Sequence, residues 1–114
     1  MSDVAFKLVD RAEWEAARAA GAYAGSAVDL ADGYIHMSSA AQLAETARRH
    51  YAGRTDLMLL TVDLRRFGDV LVWEPSRGGD LFPHLYAPLP VAAVTAVRAF
   101  SVAEDGAMLF EDPA

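Results

Sequence analysis

The sequence predicts an α+β domain. Two Ala-rich segments with helix-opening signatures fall in the first half, strand-like apolar runs fill the remainder, and a turn signal near the end closes a hairpin. Val4 to Val9 (VAFKLV) sets Val4, Phe6 and Leu8 against Ala5, Lys7 and Val9, with Lys7 the one polar residue, as in a largely buried strand. Asp10 and Glu13, three apart and just ahead of Trp14, Ala17 and Ala20, read as a capping box opening a helix that Gly21 ends. From Gly21 to Gly33 the small and polar residues predict an irregular excursion, long enough to be functional.

Tyr34 to Ser38 (YIHMS) then alternates, placing Tyr34, His36 and Ser38 on one face and Ile35 and Met37 on the other. A second capping box, Ser39 with Gln42, starts a helix running to about Tyr51 and closed by Gly53. His36 therefore sits just ahead of a helix N-terminus, where free N–H groups favour a phosphate or carboxylate. Leu57 to Val62 reads as a central strand and Val70 to Glu74 as another, with Val70, Val72 and Glu74 opposite Leu71 and Trp73. Pro75 to Asp80 is a loop by composition. In Leu81 to Pro90 the prolines Pro83, Pro88 and Pro90 exclude a regular helix, and an extended course aligns Phe82, His84 and Tyr86. Val94 to Val102, the turn Asp105-Gly106 and Ala107 to Phe110 make the closing hairpin. The expected organisation is a single domain over residues 1–114, with its core in 4–110 and a frayed tail at 111–114.

Composition bounds the chemistry. At 12.3 kDa, with 54% hydrophobic and 23% charged residues, the chain is globular and buries about two thirds of its open surface. The absence of cysteine excludes disulfides, thiol nucleophiles, Fe–S clusters and thiolate zinc sites. The apolar start is far too short for a signal core or a membrane span, so a soluble cytoplasmic protein is expected. A net charge of −6 with acids spread over both halves offers no basic footprint for nucleic acid. No G-x-S-x-G, G-x-x-x-x-G-K-[ST], G-x-G-x-x-G or H-E-x-x-H pattern is present, and of the three histidines only His36 and His84 look co-located, neither with a ligand partner nearby in sequence, so no metal is expected.

Two extended faces join imidazole to aromatic rings: Tyr34/His36/Ser38 and Phe82/His84/Tyr86. Such faces suit a flat polar ligand, although a histidine that satisfies a core carbonyl produces the same pattern. Glu74, at the end of an apolar strand, is placed either for facing a developing positive charge or for reaching solvent. Arg77, beside Gly78-Gly79, either closes over an anionic ligand or belongs to a simple turn. His50 is expected to serve the carbonyls at its helix end, and Arg48, Arg49, Arg54, Arg65 and Arg66 to be solvated charges.

In order, Trp14-Glu15-Ala16-Ala17, Gly33-Tyr34-Ile35-His36-Met37-Ser38 with Gln42, Trp73-Glu74, and Phe82-Pro83-His84-Leu85-Tyr86 before Pro88-Leu89-Pro90 resemble the domain-of-unknown-function family 952 over about residues 4 to 98. That resemblance implies a small relative of the ADP-ribosyltransferase fold, with two strongly curved packed sheets, two helices in the first half and a cleft for NAD. It implies a cleft lined by His36, Ser38, Phe82, His84 and Tyr86 that binds NAD, ADP-ribose or a related nucleotide, with ADP-ribosyl or 2′-phosphate transfer as the chemistry. In that reading His36, His84 and Glu74 are catalytic and Tyr34, Ser38, Gln42, Trp73, Arg77, Phe82 and Tyr86 contact ligand. In the histidine-containing transferases of that fold the first motif residue lies on the first strand, and the nearest position here is Lys7. The alternatives are a non-catalytic sensor with the same cleft and a protein-interaction module.

Overall fold

The computed structural model describes residues 3–111. A four-stranded antiparallel sheet runs in the order β1 (Val4–Asp10), β4 (Leu57–Asp63), β8 (Val94–Val102), β9 (Met108–Phe110). A three-stranded sheet runs β3 (Ile35–His36), β6 (Leu81–Leu85), β5 (Leu71–Pro75), and a two-stranded ladder joins β2 (Ala22–Tyr23) to β7 (Leu89–Pro90). Helices α1 (Arg11–Ala20), α2 (Ala27–Asp32) and α3 (Ala40–Tyr51) complete the domain. The α+β class holds, with three helices and three sheets where two of each were expected.

The apolar run of β4 reads as central because both its faces are covered. Met58, Leu60 and Val62 enter one core with Ala5, Val9, Trp14, Ile35 and Leu85, while Leu57 and Leu59 join Leu8, Ala47 and Phe100 in the other. The first strand has the same two-sided burial. Lys7 shares its face with Ala5 and Val9, so its side chain points inward and is only 5% exposed.

Four local expectations change. Helix α1 ends at Gly21 in the left-handed region, but Asp10 makes no side-chain cap bond, because its carboxylate faces the Arg54 guanidinium. The stretch from Gly21 to Gly33 is not irregular: it holds β2 and α2. Ser26 caps α2 by accepting from Asp29 N–H at 3.2 Å, and Asp29 Oδ2 accepts Ser26 N–H at 2.9 Å. Helix α3 does open where Gln42 Oε1 accepts Ser39 N–H at 3.0 Å, but its C-cap is Ala52, one residue before Gly53. Val70 closes a 3₁₀ turn, so β5 starts at Leu71. The hairpin of β8 and β9 forms as read. Glu111 N–H still bonds Ala99 O at 3.0 Å, and the rest of the expected frayed tail lies outside the described residues.

Pro83 stands in the middle strand of its sheet, where a proline ordinarily removes a ladder bond. Its carbonyl accepts Met37 N–H at 3.1 Å on the flank of β3, so the missing donor falls on that flank too, just beyond the two paired residues of β3. No bond to β5 is lost. A second junction joins the sheets: Phe6 N–H bonds Ser38 O at 2.8 Å and Ser38 N–H bonds Phe6 O at 2.9 Å. This bridge seats His36, two residues earlier, above Lys7.

Among the described residues, the Tyr23 hydroxyl is buried without a hydrogen-bond partner, which costs about 1–3 kcal/mol for a stranded polar group. Burial also pushes this phenol well above its usual pKa. Tyr23→Phe is therefore expected to stabilise the fold by about 1 kcal/mol in urea denaturation. A loss of that size would show that the hydroxyl is satisfied in solution.

Candidate functional site

The bridge between the sheets creates a cavity of about 610 Å³, in the range of small-molecule sites. Its floor is a buried ionic cluster. Lys7 Nζ lies 2.9 Å from Asp29 Oδ2 and donates to His36 O at 2.8 Å. Asp29 Oδ1 accepts the His36 backbone N–H at 3.1 Å and lies 2.6 Å from His36 Nδ1. The other ring nitrogen, His36 Nε2, lies 2.9 Å from Asp32 Oδ2. Both ring nitrogens of His36 thus lie within hydrogen-bond reach of a carboxylate oxygen.

Burial alone would push the Asp29 carboxyl up. The His36 ring, the Lys7 ammonium and the Ser26 N–H together outweigh it and hold the group well below the usual carboxylate range. Burial pulls the Lys7 ammonium below its ordinary value, against the attraction of Asp29. Gly25 lets the chain approach this cluster: its φ is +121°, and a Cβ there would meet Asp29 Cβ at 2.8 Å.

His36 and His84 are brought together as directly opposed residues of β3 and β6, with ring centroids 5.5 Å apart. Both line the cavity, as do Ser38 and Phe82. Ser38 Oγ is 2.8 Å from Thr46 Oγ1. Tyr34 packs against both imidazoles, at 4.5 Å and 4.2 Å, and against Tyr86 at 5.1 Å. Tyr34 and Tyr86 themselves line a separate, shallower hollow of about 240 Å³.

Glu74 stands behind His84 and does not line the cavity. Its Oε1 lies 2.8 Å from His84 Nδ1 and accepts the Tyr86 hydroxyl at 2.7 Å. The Tyr86 bond first, and His84 second, hold the Glu74 carboxyl below its usual value, while the same bond pushes the Tyr86 phenol up to about 12.

Besides Tyr34 and Tyr86, two more expected ligand contacts lie off the cavity. Trp73 turns to the other face of β5 and packs against the core, since side chains alternate along a strand. Gln42 is occupied by its cap and by donating from Nε2 to Leu81 O at 2.7 Å, which clasps α3 to β6. Arg77 opens the turn Arg77–Gly79, but its side chain lies outside the described residues.

Other residues reach the cavity unannounced. Lys7 was visible as a charge in an apolar strand; Asp29 was missed, and the signal that could have found it is the capping-box spacing of Ser26-Ala27-Val28-Asp29. Arg54, expected to be solvated, lines the cavity, pairs with Asp10 and lies 5.0 Å over the Tyr51 ring. Its position could not be read because Asp10 is 44 residues away along the chain. His50 also lines the cavity. Arg48 and Arg49 pair with Glu45, and Arg65 with Asp63. Among the described residues no group of three or more His, Cys, Asp or Glu is arranged to hold a metal ion, and no helix is long and apolar enough to cross a membrane.

A profile of the family described as "Protein of unknown function (DUF952)" matches residues 8–97. The crystal structure of protein CC0527 from Caulobacter crescentus is similar over 92% of each chain, with 48% sequence identity and a TM-score of 0.88. The solution NMR structure of that protein is similar over 92% of this chain and 90% of the other, at 48% identity and a TM-score of 0.81. No curated protein matches the chain.

The ionic floor sets a stability test. Asp29→Asn strands the buried Lys7 ammonium and is expected to cost about 3 kcal/mol in urea denaturation. Because the Asp29 carboxyl is depressed in the fold, its stabilisation is complete above about pH 4–5 and drains away as the pH falls below that. The variant should therefore lose stability less steeply than the wild type as the pH is lowered from about 5 to 2. A cost below about 1 kcal/mol with an unchanged slope would contradict the assignment.

Proposed function

Because the chain belongs to the DUF952 family, whose function is unknown, we propose from its own cavity that it binds NAD, ADP-ribose or a related nucleotide. The supporting observation is the meeting of two opposed imidazoles with a buried Lys–Asp pair in one hollow of about 610 Å³. Phe6 and Phe82, both lining the cavity, offer apolar ring surface for a base or a nicotinamide. His36, Ser38 and His84 offer polar atoms for sugar hydroxyls, while Arg54 and His50 lie at the wall for a phosphate. The ligand is a small molecule of the cytosol rather than a nucleic acid, since the acidic chain carries no basic footprint.

An ADP-ribosyltransferase-like fold is part of this reading, and with it ADP-ribosyl or 2′-phosphate transfer. Cleavage of a ribose–nicotinamide bond passes through an oxocarbenium-like state that needs negative charge near the sugar. Asp29, ionised and at the cavity wall, is the better placed carboxylate for that task. Glu74 acts on His84 instead. A non-catalytic sensor is favoured over turnover by one observation: Asp29 already spends both oxygens on Lys7, His36 and Ser26.

Calorimetric titration with NAD, ADP-ribose and nicotinamide tests the reading. Saturable binding is expected for at least one. His84→Ala should weaken it about tenfold, which is ~1.4 kcal/mol. Phe82→Leu should cost about fivefold through lost ring contact. Absence of heat with all three at about 1 mM would remove the nucleotide. Nicotinamide released from NAD faster by the wild type than by a His36→Ala, His84→Ala double variant would turn the sensor into an enzyme.

A further inference from the structure

We infer that His84 presents a bare Nε2 lone pair to the cavity, fixed in that state by Glu74, so that the ligand meets it with a neutral donor, a hydroxyl or an amide N–H. This rests on the proposed nucleotide only for the identity of that donor.

The two imidazoles look alike in sequence and differ in their partners. Both nitrogens of His36 face carboxylates, Asp29 at 2.6 Å and Asp32 at 2.9 Å, so that ring has no open acceptor. His84 has one bonded nitrogen. Its Nδ1 faces Glu74 Oε1 at 2.8 Å, and an ionised carboxylate only accepts, so the hydrogen is on Nδ1. A neutral ring with its hydrogen on Nδ1 carries its lone pair on Nε2, for which no hydrogen bond is made among the described residues.

Glu74 lies off the cavity while His84 lines it, so the ring edge turned toward the hollow is the one away from Nδ1. With 4% of its side chain exposed and Tyr34 packed at 4.2 Å, the ring has little freedom to turn over. Tyr86 completes the support by donating to the same Glu74 oxygen at 2.7 Å. Glu74 and Tyr86 are therefore positioning residues. A lone pair attracts a hydroxyl or amide hydrogen and repels a phosphate oxygen, so a sugar or carboxamide docks at the His84 end. Phosphate belongs nearer Arg54.

Long-range proton–nitrogen NMR on uniformly ¹⁵N-labelled protein reads the tautomer directly. The ligand-free wild type is expected to show His84 protonated at Nδ1 and bare at Nε2. In Glu74→Ala the restraint is gone, and the Nε2-protonated form should appear, while the His36 signals stay as internal control of the fold. Tyr86→Phe leaves the carboxylate in place and should keep the wild-type tautomer. A wild type protonated at Nε2, or a tautomer indifferent to Glu74→Ala, overturns the inference. With ADP-ribose the Nε2 resonance should move, and with inorganic phosphate at equal concentration it should not. An equal response to phosphate, or none to ADP-ribose that calorimetry shows to be bound, overturns the donor assignment. The nucleotide reading fails separately, by titration, with the ligand-free tautomer intact.

Discussion

A lysine buried on the inner face of an apolar strand needs a counter-charge, and satisfying that need organises this molecule. The ammonium of Lys7 lies between Ala5 and Val9 and is met by Asp29 from α2 and by the carbonyl of His36 from β3. Leaving either charge unpaired in that position costs several kcal/mol, far more than any surface ion pair contributes. The cluster therefore draws three segments, remote along the chain, to one point between the sheets. The hollow is the space they leave, and its electrostatics are those of the tie that closes it.

Around that tie the imidazoles divide their work. His36 is part of the ionic floor and helps keep Asp29 ionised. His84, opposite it across the ladder, is held from behind by Glu74, which also carries the Tyr86 hydroxyl. Tyr34 lies against both rings and lines the shallower hollow. A fold that spends a buried charge pair, two carboxylates on one imidazole and a carboxylate-phenol support on the other maintains a polar interior at the expense of a simpler apolar core. Such polar interiors are costly unless their groups are paired, and here the pairing falls into two sets, Lys7–Asp29–His36–Asp32 and His84–Glu74–Tyr86.

Much of the architecture was legible locally. The alternation of β1 and of Tyr34 to Ser38, the apolar run of β4, the Ser39/Gln42 box and the Asp105-Gly106 hairpin are signals whose cause and effect lie within a few residues. Their reading also placed His36 and His84 on the sides that line the cavity. What escaped was set by distance. Asp10 could have capped α1, but Arg54, from the far side of α3, claims its carboxylate. Asp29 was disguised because Ser26-Ala27-Val28-Asp29 sits among glycines that read as loop, and because α2 exposes Val28 and Leu30 while burying its acid, the reverse of an amphipathic helix. Trp73 and Gln42 entered as ligand contacts through the family resemblance alone, and the structure uses them on a core face and in a helix clasp instead.

The ionic tie is tested most directly by a double-mutant cycle on Lys7→Met and Asp29→Asn, with unfolding free energies from urea titration. If the two groups hold each other in the interior, Asp29→Asn is far less harmful once Lys7 is gone. The expected coupling is at least about 2 kcal/mol. Additive effects, with coupling below about 0.5 kcal/mol, would show that the pair is not what assembles the cavity.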